Sequence, residues 1–93
     1  MELSEFKASL SGNIPSVSSI YLQALWYAAK GEWDTSHKLI QKIEDKNASW
    51  IHAYLHRKEG DIGNAYYWYK RAGKSRPTVS LEQEWEEIVS ALI

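Results

Sequence analysis

Apolar residues recur along the chain at intervals of three and four, and few stretches alternate with period two. That pattern predicts helices and no strand. Gly12, Pro15, Gly31, Gly60, Gly73 and Pro77 fall between the periodic segments and separate them. Leu3, Phe6 and Leu10 place a narrow apolar stripe on an opening helix from about Glu2 to Leu10. A second helix, from about Ser16 to Lys30, carries Val17, Ile20, Leu22, Leu25 and Trp26 around most of its circumference, so contacts on more than one side are expected. A third runs from about Trp33 to Lys46 with Leu39, Ile40 and Ile43 inward, and a fourth from about Ala48 to Glu59, stopped by Gly60. Asp61 is a good N-cap for a fifth helix reaching about Lys74. The sixth, over about 80–92, opens on Ser80-Leu-Glu-Gln, which fits a capping box. Leu81, Trp85, Ile88, Val89 and Leu92 then share one face, with Glu82, Glu84, Glu86 and Glu87 mostly elsewhere.

The middle of the chain repeats. With Gly31 set on Gly60, Ala24 meets Ala53, Tyr21 meets Trp50, Glu32 meets Asp61 and Leu39 meets Trp68. Small residues face small ones, large face large, and an acid follows each turn glycine. Both copies read as helix, Gly-acid turn, helix, the signature of stacked helical pairs. The second copy resembles a tetratricopeptide repeat. Ala53 stands at the small crossing position and Gly60 at the turn; Ala65, Tyr69 and Ala72 follow in the second helix, and Pro77 closes the copy. The first copy matches at Ala24, Tyr27 and Gly31 and departs at Ser36, Ile40 and Ile43, so the repeat is degenerate. The expected fold is all-α: one domain over residues 1–93, a tetratricopeptide-like stack of antiparallel helix pairs ended by a C-terminal capping helix.

Composition narrows the function. The chain has 93 residues, 44% hydrophobic, with a formal net charge of -1. That suits one small globular domain and is short for an enzyme that must enclose a substrate. The absence of cysteine excludes disulfides, a thiol nucleophile and a cysteine zinc site. No apolar run is long enough for a membrane span, and the acidic start lacks the features of a signal peptide, so a cytoplasmic protein is expected. No phosphate loop, nucleophile elbow or acidic metal loop occurs, and neither enzymatic activity nor a cofactor is expected.

Three clusters carry candidate chemistry. His52, His56 and Glu59 lie at i, i+4 and i+7, a spacing usable by a metal. The same spacing suits hydrogen-bonded core histidines. Ala53 stands where a zincin motif places Glu, which favours the core reading and no metal. Arg57, Asp61 and Asn64 surround the Gly60 turn, where capping and turn hydrogen bonds explain them. Lys70, Arg71, Lys74 and Arg76 form a basic cluster beside Tyr66, Tyr67, Trp68 and Tyr69, an arrangement that nucleic-acid sites use. The overall charge and the acidic last helix argue against nucleic acid.

The resemblance implies a protein- or peptide-binding or self-associating module, with a homodimer as one form of the latter. In that family the first helix of each pair lines a concave groove. Carried onto this chain, the groove residues are Tyr21, Leu25, Ala28 and Ala29 from the first copy and Trp50, Tyr54, Arg57 and Lys58 from the second. Such a groove suits a peptide with apolar anchors and a carboxylate; the alternative is that the opening helix, through Leu3, Phe6 and Leu10, or a second subunit fills it. The two other readings are a small-ligand or metal site at His52, His56 and Glu59, and a nucleic-acid-associated module at the basic cluster.

Overall fold

Side-chain caps mark where α2, α4, α5 and α6 start. A computed structural model describes residues 1–16 and 19–93. Among these the helices are α1 (Leu3–Ala8), α2 (Ile20–Ala29), α3 (Trp33–Ile40), α4 (Lys46–Glu59), α5 (Ile62–Ala72) and α6 (Leu81–Leu92), with a 3₁₀ turn at Ser9–Ser11 and no strand. Ser80 Oγ accepts from Gln83 N at 3.0 Å and starts α6 as its sequence predicts. Asp61 caps α5.

Three boundaries differ from the periodicity. The helix expected from Ser16 starts at Ile20, because Ser19 holds an extended backbone and caps it through Leu22 N. Val17, assigned to that helix, lies outside the described residues. The third helix stops at Ile40 instead of Lys46, leaving Ile43 outside it. Asp45 is responsible for the restart: its Oδ1 accepts from Ala48 N at 2.7 Å and begins α4. The opening helix tightens after Ala8 into the 3₁₀ turn and does not run as one α-helix to Leu10.

Among the described residues the larger core cluster is built from Phe6, Leu22, Leu25, Ile40, Ile51, Leu55, Trp85, Ile88 and Val89, and a smaller one from Ala53, Ala65 and Tyr69 lies between α4 and α5. α4 packs most extensively on α5, and α2 on α3; α4 also touches both α2 and α3. Ala24 and Ala53 are fully buried, as their small size at close crossings predicts. The tryptophans fasten neighbouring elements through their ring N–H: Trp33 Nε1 donates to Leu55 O at 2.7 Å, Trp26 Nε1 to Ser9 Oγ at 3.0 Å and Trp85 Nε1 to Leu25 O at 2.8 Å. Buried tryptophans need such partners for their single donor.

The last helix buries its apolar face within the chain, with Trp85 5% exposed. It packs against α4, α2 and α1, with Phe6 stacked on Trp85 at a ring separation of 5.9 Å. No described helix is long and apolar enough to cross a membrane.

Gly60 ends α4 at a φ of 89°, in the left-handed region that glycine alone enters without strain. A Cβ there would meet nothing within 4 Å, so a substitution acts through the backbone alone. Gly60→Ala is expected to lower stability by about 1 kcal/mol. Gly63, inside α5 with equally open space, is expected to respond with the opposite sign, Gly63→Ala gaining about 0.5 kcal/mol. Paired urea unfolding curves check both.

Candidate functional site

α6 lies in the groove that the sequence assigns to a peptide. Leu25 is 0% exposed and Tyr54 3%, and the Leu25 carbonyl accepts from the ring of Trp85. The centre of the expected groove is therefore not an open surface. Burial pushes the Tyr54 phenol up to about 12. Arg57 is committed as well. Its Nη1 donates to Glu84 Oε1 at 2.9 Å and its Nη2 to Val79 O at 2.5 Å. The other oxygen of Glu84 accepts from Tyr69 OH at 2.6 Å. Glu84 is 2% exposed, so both oxygens face partners and not water. Burial and this carboxylate push the Tyr69 phenol upward and keep it a donor.

The remaining groove residues sit at its margins. Lys58 reaches across to donate to Ala28 O at 2.6 Å. Tyr21 donates to Asp45, which raises its phenol pKa. Trp50 is half-buried, with the Lys74 ammonium 4.0 Å from its ring centre. A hollow of about 310 Å³ persists between α1, α2, α4 and α6, bordered by Leu10, Tyr54, Lys58 and Trp85.

The basic cluster forms a coherent surface on α5. Arg71 lies over Tyr67 and Trp68 at 5.7 and 5.0 Å, and Arg76 over Tyr66 at 3.8 Å. Tyr67 is 53% exposed and Tyr66 is also exposed. Among the described residues, no carboxylate oxygen lies within 4.0 Å of Lys70, Arg71, Lys74 or Arg76. A hollow of about 510 Å³ opens between Tyr66, Tyr67, Lys74 and Arg76.

The third cluster changes membership. His52 and His56 are buried on α4, and His37 joins them from α3, its Nε2 3.0 Å from His52 Nε2. Glu59 accepts from His56 Nδ1 at 2.6 Å, as the partner of that ring. Desolvation, then the neighbouring imidazoles, hold His52 down at about 4; desolvation and His56 lower His37. The residues around the Gly60 turn divide. Asp61 accepts from Asn64 N at 3.4 Å as an N-cap, while Arg57 faces α6 on another side. The sequence pattern does not reveal His37, because it stands one helix away, in no fixed spacing with the pair on α4.

The chain matches no family model, no curated protein and no solved structure.

Removing the buried carboxylate tests how firmly α6 is held. Glu84→Ala leaves Arg57 and Tyr69 without their acceptor and is expected to lose about 3–5 kcal/mol. Glu87→Ala, exposed one helical turn on, is expected to stay within about 0.5 kcal/mol of the parent. Denaturant unfolding of the two variants makes the comparison.

Proposed function

We propose that this chain is a tetratricopeptide-like interaction module, with α2–α3 and α4–α5 as stacked antiparallel pairs, that binds an acidic protein segment without catalysing a reaction. Two features support the stack. Each pair turns through a glycine of positive φ followed by an acid, Gly31-Glu32 and Gly60-Asp61, and α4 packs on both helices of the first pair. With the groove held by α6, the contact surface in this reading lies on the outer face of α5. It extends from Trp50 across Lys74 to Tyr66, Tyr67, Arg71 and Arg76.

The observation that carries the reading is a set of exposed and half-buried aromatic rings overlaid by cations that, among the described residues, have no carboxylate oxygen within 4.0 Å. Tyr, Trp and Arg are the residues that dominate the energetics of protein contacts, and their rings lose little entropy on binding. Stacked arginine presents a planar fork to a carboxylate. An acidic segment with an apolar or aromatic anchor satisfies both halves of the surface.

The test is a variant carrying Tyr67→Ala, Arg71→Glu and Arg76→Glu. Its thermal melting is expected to match the parent, because all three side chains are exposed. Pull-downs from the native host, read by quantitative mass spectrometry, are expected to lose the principal partner at least about tenfold. Retention of every partner by the variant contradicts the reading. Capture that nuclease treatment abolishes moves the surface to the nucleic-acid alternative.

A further inference from the structure

The interaction reading leaves the histidine cluster of α3 and α4 unexplained. Three imidazoles from two helices converge, two of them buried and His37 half-buried, where leucines would fill the same space without polar atoms to satisfy. Their placement is closely specified. His52 stacks between His56, with ring centres 4.8 Å apart, and Trp68 of α5, 3.9 Å away and 17° from parallel. His37 stacks on Trp33 at 4.7 Å and 11°, and meets His52 edge-on at 80°. α3, α4 and α5 therefore all contribute to holding the rings.

We propose that His37, His52 and His56 form a three-imidazole site for a divalent transition-metal ion, Zn²⁺ being the ion they suit, with Glu59 holding His56 in its ligating tautomer. One ring nitrogen from each histidine lies within 4.8 Å of the others. The His37 and His52 Nε2 atoms are 3.0 Å apart. Two Zn–N bonds of about 2.0–2.1 Å meeting at the tetrahedral angle separate their nitrogens by about 3.4 Å. A shift of a few tenths of an ångström opens the pair to that geometry.

The proton inventory also fits. The 3.0 Å contact is an N–H···N hydrogen bond in which one ring donates. An ion entering between the two nitrogens replaces the shared hydrogen, and the donor ring carries that proton on Nδ1 instead. The tautomer changes, and no proton leaves the protein. His56 needs no such change. Its Nδ1 donates to Glu59 Oε2 at 2.6 Å, which leaves Nε2 unprotonated, and a metal there would displace the Asn64 amide that now lies 3.4 Å from it. A carboxylate behind a ligating histidine orients the ring and raises its basicity, the usual outer support of such ligands.

The donor set selects the metal class. Imidazole nitrogens favour zinc and its neighbours, whereas calcium and magnesium require oxygen cages. Three histidines leave a fourth position for water or an exogenous ligand, as in open zinc sites. His37 is half-buried and the Glu59 side chain is 40% exposed, so the cluster has a solvent-facing side by which an ion can enter.

The experiment uses the full chain, untagged and stripped with chelator. Calorimetric titration with Zn²⁺ is expected to give one ion per chain. Titration with Co²⁺ is expected to give the intense visible bands of tetrahedral coordination. In the ¹⁵N-labelled protein the imidazole resonances of His37, His52 and His56 are expected to shift together and saturate at one equivalent of Zn²⁺. His37→Ala is expected to abolish the Co²⁺ bands, and Glu59→Gln to weaken Zn²⁺ binding by about 10–100-fold. Absence of stoichiometric binding overturns the site. So does a pale octahedral Co²⁺ spectrum, or binding that leaves the three imidazole resonances unmoved. The labelled parent protein keeps the site testable even if His37→Ala does not fold.

Discussion

The arrangement of the molecule depends on one buried carboxylate. An ionised glutamate taken out of water is strongly penalised unless its oxygens are matched by donors. Glu84 meets that requirement with Arg57 on one oxygen and Tyr69 on the other, so it draws together α6, α4 and α5. Arg57 in turn ties down the segment before α6 through Val79. With Glu84 fixed, the helical period carries Trp85, Ile88 and Val89 into the core against α2 and α1. Such a group contributes direction more than net free energy, because few positions along the groove offer both a guanidinium and a phenol.

This accounts for the disagreement between the groove read from the sequence and the groove in the structure. The chemistry assigned to a peptide was a row of apolar anchors with a carboxylate at the basic end. α6 has that composition: Trp85, Ile88 and Val89 supply the anchors and Glu84 the carboxylate. The chain carries its own occupant. The side of α5 that carries Tyr66, Tyr67 and Arg71 stays exposed, and it is the surface proposed above for a partner.

Much of the fold was legible from local signals. Six helices, the Gly60 turn, the Asp61 cap and the Ser80 cap follow from rules that act within four or five residues. The missed boundaries have the same local origin. Asp45 competes with helix continuation by capping α4, and an apolar period that runs through Ile43 conceals that competition. The destination of α6 was not legible, because an apolar face states that a helix must be covered and not by what. The candidate sites followed the same division. The i, i+4 histidine pair could be read, but Glu59 is three residues from His56, close enough to bond its ring. His37 reaches the pair only through the packing of α3 on α4. The α5 surface was visible as a basic cluster, but the stacking of its cations on Tyr66, Tyr67 and Trp68 depends on how the helix and the segment after it fold.

The contacts of Glu84 and Trp85 make α6 part of the cooperative fold and not a detachable helix resting in a groove. Native-state hydrogen exchange, followed residue by residue in low denaturant, tests it most directly. The slowest amides of α6 are expected to open with the same free energy and denaturant dependence as those of α4, by global unfolding. Exchange of α6 as a separate unit of lower stability, while α4 stays protected, would contradict it and make the groove a site that this helix can vacate.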